Sequence, residues 1–249
     1  MQLKILGILF VISVLAIVTV SASMMLPTDD NAKEHARAPE HSPVINDDWG
    51  LERIDFIHYV WGTKPARVSA EKCYKLLGVK WKNTPVDYTI NPINSDNLST
   101  DFVTSTISTS AETWDAVTST ELFNNDYLVD YNAYYGVQNF INAISFGDYP
   151  DDNVIAVTSV WYTPVGRQIV EFDMLFNTRF MWGDALLNSG VMDLQNIATH
   201  ELGHGVGLAD IYSTACSQVT MFGYSSYGET SKRSLEQPDI TGLVKMYGA

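Results

Sequence analysis

His200 and His204 stand four residues apart with Glu201 between them, in the stretch THELGHGVGLAD at residues 199–210. Positions i and i+4 of a helix lie one turn apart on the same face, so both imidazoles can reach one zinc ion at about 2.0–2.1 Å. Glu201 sits beside that face, where a carboxylate can take a proton from water activated by the metal. Three fixed positions are only a moderately specific signal, so the continuation matters. Gly203, Gly205 and Gly207 disfavour further helix, and a turn at Gly207 would fold the chain back and present Asp210 to the same ion. The histidines are His35, His41, His58, His200 and His204, with none after 204, so a site built locally needs a carboxylate as its third ligand. Zinc accepts an aspartate oxygen at about 2.0–2.2 Å. A helix-cap or turn-cap role is the alternative for Asp210, and a His₂Asp set also suits other divalent ions.

A helix must carry these residues. Asp193 is its expected N-cap, followed by Leu194, Ile197, Ala198 and Leu202 at helical spacing. Upstream, Val103, Ile107, Ala111 and Trp114 form one helical stripe despite many Ser and Thr, with Ser99 or Asp101 as the cap. Near the end, Pro238 marks a helix start, and Ile240, Leu243, Val244 and Tyr247 form its expected apolar face, with Gly248 beyond. Between the helices, the stretches at 121–131, 139–147, 153–163 and 168–178 are β-branched and aromatic and are separated by turn residues. Val86 to Ile90 reads as a short strand. Residues 51–62 alternate, with Ile54, Phe56, His58 and Val60 against Asp55, Ile57 and Tyr59; His58 reads there as a strand side chain with no second donor at metal spacing. The acidic turn Asp148, Asp151, Asp152 offers the clustered carboxylates that Ca²⁺ needs, although an Asp/Pro/Asn turn needs no metal.

The 249 residues carry 29 Asp+Glu against 15 Lys+Arg, a formal charge of −14, which argues against nucleic acid as a partner because phosphate contacts need clustered cations. Residues 1–23 place Lys4 before an apolar run and then Ser21-Ala22-Ser23, the layout of a signal peptide. Read instead as an uncleaved anchor, residues 5–26 would tether the chain to a membrane. Residues 24–48, rich in Pro, Ala and charge, read as a linker or pro-segment. In an exported chain the two cysteines, Cys73 and Cys216, pair most simply as one disulfide, closing a loop of more than a hundred residues.

The stretch HELGHGVGLAD followed by Met221 in VTMFGY resembles the metzincin metallopeptidases, whose long zinc motif precedes a Met-turn. Within them, residues 78–249 are most similar to the matrixin (matrix metalloproteinase-like) group: DLQNIATHELGH and LEQPDITGLVKMYG resemble its active-site and C-terminal helices, SVWYTPVGRQIVEFDMLFNT its sheet and VKWKNTPVDYTINP its opening strand. The third ligand departs from the group, being Asp as in the snapalysin-like metzincins. No histidine lies between residues 59 and 199 to hold a second zinc, and the context of Cys73, AEKCYKLLG, does not match a cysteine switch.

The resemblance implies an α+β, zincin-like catalytic domain at 78–249, with a mixed twisted sheet, a long helix, an active-site helix and a C-terminal helix. Residues 49–77 are then an N-terminal extension containing a strand. It further implies an exported or cell-surface, monomeric zinc endopeptidase acting on proteins or peptides. In that enzyme one Zn²⁺ rests on His200, His204 and Asp210, Glu201 is the general base, Met221 forms the floor, and Tyr224 lines the substrate wall. A zinc hydrolase of another substrate class, or a catalytically silent zinc-containing binding domain, is the competing expectation.

Overall fold

The computed structural model describes residues 50–62 and 72–249, all of which fall in one compact unit. The expectations for the signal peptide or tether and for the linker at 24–48 lie outside the described residues.

β1 (Glu52–Val60), β6 (Val154–Thr163) and β7 (Gln168–Asn177) are the long strands. β6 is buried along nearly its whole length and carries a near-continuous apolar sequence, as a strand covered on both faces should. It pairs antiparallel with β7 on one side and with β1 on the other. β5 (Ala143–Gly147) runs parallel to β7, and the short β3 (Thr89–Ile90) and β4 (Leu128–Val129) extend the sheet in parallel. At the other end β11 (Tyr224–Ser225) lies parallel to β1, giving a seven-stranded mixed sheet in the order β11-β1-β6-β7-β5-β3-β4. Two small ribbons stand apart from it: β2 (Lys75–Leu76) with β10 (Leu208–Ala209), and β8 (Trp182–Gly183) with β9 (Met192–Asp193).

β1 is the strand expected within residues 49–77, and it lies inside the sheet, in register with β6 from Glu52↔Tyr162 to Tyr59↔Val154. The expected strand at 121–131 shrinks to Leu128–Val129, because the asparagines before it bond locally: Asn124 accepts from the Asp126 N–H at 3.1 Å, which favours a turn.

α1 (Thr100–Asp115) is capped by Ser99, whose hydroxyl accepts from the Phe102 N–H at 3.1 Å; Val103, Ile107, Ala111 and Trp114 are buried as the stripe requires. α2 (Leu194–Gly205) packs between α1 and the sheet, and the Trp114 indole donates to the Thr199 carbonyl at 2.8 Å. α3 (Gln237–Tyr247) starts with Pro238 in its first turn, but its buried face is Asp239, Gly242, Leu243 and Met246. The expected apolar face is rotated because the Asp239 carboxylate accepts the backbone N–H groups of Thr220, at 2.9 Å, and Met221, at 3.2 Å. One large core joins the sheet to the helices. A smaller cluster includes Tyr59, Val157, Cys216 and Phe222, next to the Cys73–Cys216 disulfide.

Candidate active site

α2 is positioned from both ends. Asp193 accepts the Asn196 N–H at 2.8 Å as N-cap and is also held by Arg233. At the other end Gly207 takes φ +104°, and a side chain there would run into the Val79 carbonyl, so only glycine makes this turn. The turn sends β10 back past the helix and delivers Asp210 to His200 and His204.

The three side chains are buried and converge. His200 Nε2 and His204 Nε2 lie 3.1 Å apart, and Asp210 Oδ1 is 3.2 Å from the first and 3.4 Å from the second. Ligands 2.0–2.1 Å from one tetrahedral zinc are separated by about 3.3–3.4 Å, so the triangle fits such an ion. Each imidazole is held by its far nitrogen: His200 Nδ1 lies 2.7 Å from the Thr220 carbonyl and His204 Nδ1 lies 2.9 Å from the Leu208 carbonyl. Protons at Nδ1 leave both Nε2 lone pairs facing Asp210. Asp210 Oδ2 accepts from the Tyr212 hydroxyl at 3.0 Å, whereas Oδ1 is buried and accepts no hydrogen bond of normal geometry. An orphaned carboxylate oxygen facing two imidazole lone pairs is a donor set for a cation. Burial alone would raise the Asp210 pKa, but the adjoining His204 and His200 hold it well below the usual range; burial pushes His200 down to about 4. An anionic Asp210 and a neutral His200 are the forms that bind metal.

Glu201 points to the other side of His200. Its Oε1 lies 3.1 Å from His58 Nδ1, and its Oε2 accepts from the Thr158 hydroxyl. Burial pushes its carboxyl up to about 7, against the pull of His204 and Thr158. His58 is therefore not the isolated strand residue the sequence suggests. Its Nε2 lies 3.1 Å from Ser225 Oγ, which accepts from the buried Lys232 ammonium at 2.5 Å. Lys232 has only protons to give, so Ser225 accepts from it; the Ser225 hydroxyl proton can then go to His58 Nε2, which leaves His58 Nδ1–H to donate to Glu201. His58 lies on a strand as expected, but sequence reasoning missed its partners Glu201 and Ser225, and with them Thr158 and Lys232. The available signal was strand alternation, which puts His58 on the inward face with Ile54 and Phe56.

Met221 is buried against α2; a Cβ at Gly203 would meet its sulfur and lie 2.7 Å from Trp114. Tyr224 lies on β11, opposite Tyr59 of β1, and is buried against Tyr212 and Phe222. The acidic turn closes on a cation of its own chain, with Arg179 bound to Asp148 at 2.8 Å and to Asp152. Among the described residues, the groups of three side chains able to hold a metal are His200–His204–Asp210 and His58–His200–Glu201, both at this site.

Comparison with known families adds one match: the family model described as matrixin, a peptidase family, aligns with residues 80–248. No curated protein matches the chain.

Proposed function

The chain belongs to the matrixin family of zinc-dependent endopeptidases, and from that premise we propose that it cleaves peptide bonds in exported or cell-surface surroundings with His200, His204 and Asp210 as its zinc ligands. The observation that carries the ligand assignment is the orphaned Asp210 Oδ1 facing two imidazole nitrogens whose tautomers are fixed from behind. The mixed sheet and three helices agree with a matrixin catalytic domain.

A zinc ion held there supplies Lewis acidity toward water and toward the scissile carbonyl. Glu201 is then the proton carrier: it accepts the proton of the attacking water and passes it to the leaving amine. Burial raises the Glu201 carboxyl, which favours its taking up the proton of the water. Thr158 holds one oxygen of Glu201 and so orients the other. Met221 forms the apolar floor, and Asp239 fixes its backbone. The disulfide between Cys73 and Cys216 suits an oxidising compartment, which supports export.

The test is Glu201→Ala. The variant should retain one zinc per chain and cleave casein about 10²–10⁴-fold more slowly than the same form of the wild-type chain. Equal, chelator-sensitive cleavage by both proteins would remove Glu201 from the mechanism.

A further inference from the structure

The chain has a formal charge of −14, and Arg53, Arg179, Lys232 and Arg233 each sit against one of its carboxylates. Lys80, Lys82, Arg167 and Lys245 do not. Among the described residues none of these four has an ion pair, and together they line one cavity of about 310 Å³. Three segments deliver them: the stretch after β2, the turn between β6 and β7, and the last turn of α3. Arg167 takes φ +53°, a left-handed conformation rare outside glycine, and its guanidinium donates to the Gly78 carbonyl at 3.0 Å and the Leu77 carbonyl at 3.3 Å. Those bonds fix it at the rim. Lys82 makes no hydrogen bond among the described residues, and its ammonium lies 3.2 Å from where a Cβ at Gly166 would stand.

Neutralising a helix end accounts for part of this cluster. Lys80 donates to the Met246 carbonyl at 2.5 Å, and Lys245 lies in the last turn of α3 and donates to the Tyr74 hydroxyl, so both offset the negative end of that helix. Each ammonium has three protons and has used one of them here. Lys82 and Arg167 belong to other segments and serve no such end. Between the cations the floor is apolar, formed by Leu76, Val79 and Met246. An occupant must therefore carry several negative charges with apolar atoms between them. A nucleic acid or a sulfated polysaccharide carries charge along its whole length and would run out onto a surface whose net charge repels it. A short acidic stretch of polypeptide keeps its carboxylates at the cavity, and its aliphatic atoms match the floor. We propose that this cavity is a docking site for an acidic polypeptide segment. None of its lining residues belongs to the metal triad, so docking here is independent of the endopeptidase reading.

The test is a titration of the full chain carrying Glu201→Ala, which keeps a peptide intact. A short fluorescent peptide alternating Glu with Leu is compared, in low salt, with the same peptide carrying Gln for Glu. Anisotropy should show saturable binding of the Glu peptide, with the Gln peptide at least about ten-fold weaker. Added salt should weaken the Glu peptide, because the four cations are exposed to solvent. Adding Lys82→Gln with Lys245→Gln should raise its Kd about ten-fold, as the loss of two exposed charge contacts requires. Both side chains are exposed, and the peptide and salt comparisons need no such variant. Equal affinity for the two peptides, no saturable binding of either, or a Kd that the folded double variant leaves unchanged overturns the proposal. Binding of heparin that the double variant weakens, with none of the Glu peptide, would assign the cavity to a sulfated polysaccharide and overturn it equally.

Discussion

The Tyr212 hydroxyl donates to Asp210 Oδ2 at 3.0 Å and so decides which oxygen of that carboxylate faces the two imidazoles. One oxygen is anchored by a neutral donor, and the other is buried without a hydrogen bond of its own. Tyr212→Phe removes the anchor without changing charge or shape. Loss of an outer-shell partner of this kind lowers metal affinity by about 10–100-fold. Competition with a chromophoric chelator should show that loss, with folding retained, and unchanged affinity would mean that Tyr212 does not orient the ligand.

Gly203 explains why the active-site helix can lie so close to the Met221 turn. A methyl group there would overlap the Met221 sulfur and approach Trp114 to 2.7 Å, and Trp114 is itself fixed by its bond to the Thr199 carbonyl. Neither neighbour has space to retreat, because both are buried. Gly203→Ala should therefore destabilise by about 1–3 kcal/mol despite its better helix propensity. Urea unfolding would measure this, and a stabilised variant would show that the packing relaxes.

Much of this was legible in the sequence because it is local. The i, i+4 histidines, the Asp193 cap, and the glycine turn that returns Asp210 all lie within eighteen residues of chain, where helical spacing and turn chemistry decide the outcome. The environment of Glu201 was not legible, since His58 is 143 positions away and no local pattern says which strand covers a helix. The face of α3 was misread for a related reason. Apolar spacing favoured Ile240 and Val244, but Asp239, counted as polar, turns inward to hold the Met221 backbone. In both cases a buried polar group with a distant partner outweighed the local pattern.

The Cys73–Cys216 disulfide closes a loop with a sequence separation of 143, tying the segment before β2 to the turn before Met221. In the chain-entropy description such a loop stabilises by up to about 5 kcal/mol, by restricting the unfolded chain. Cys73→Ala with Cys216→Ala should lower stability by an amount approaching that figure. Denaturant unfolding of the double variant checks it, and a change below about 1 kcal/mol would mean that the bridge contributes little beyond packing.

Asp173 gives a pH dependence with a definite sign. It is buried in β7, where its two oxygens accept the Gly136 and Ala143 N–H groups at 2.7 and 3.1 Å and hold the loop between them. Burial pushes its carboxyl up to about 8, with Glu171 adding to the rise and the two N–H groups opposing it. In the unfolded chain the group titrates near about 3.9. Between those values the folded chain binds the extra proton, so this contribution to stability is complete below about pH 4 and is lost as pH rises through about 8. Asp173→Asn removes the titration. Across about pH 5 to 8, with zinc saturating, the Tm of wild type should fall more than that of the variant, and parallel profiles would show that Asp173 is ionised throughout.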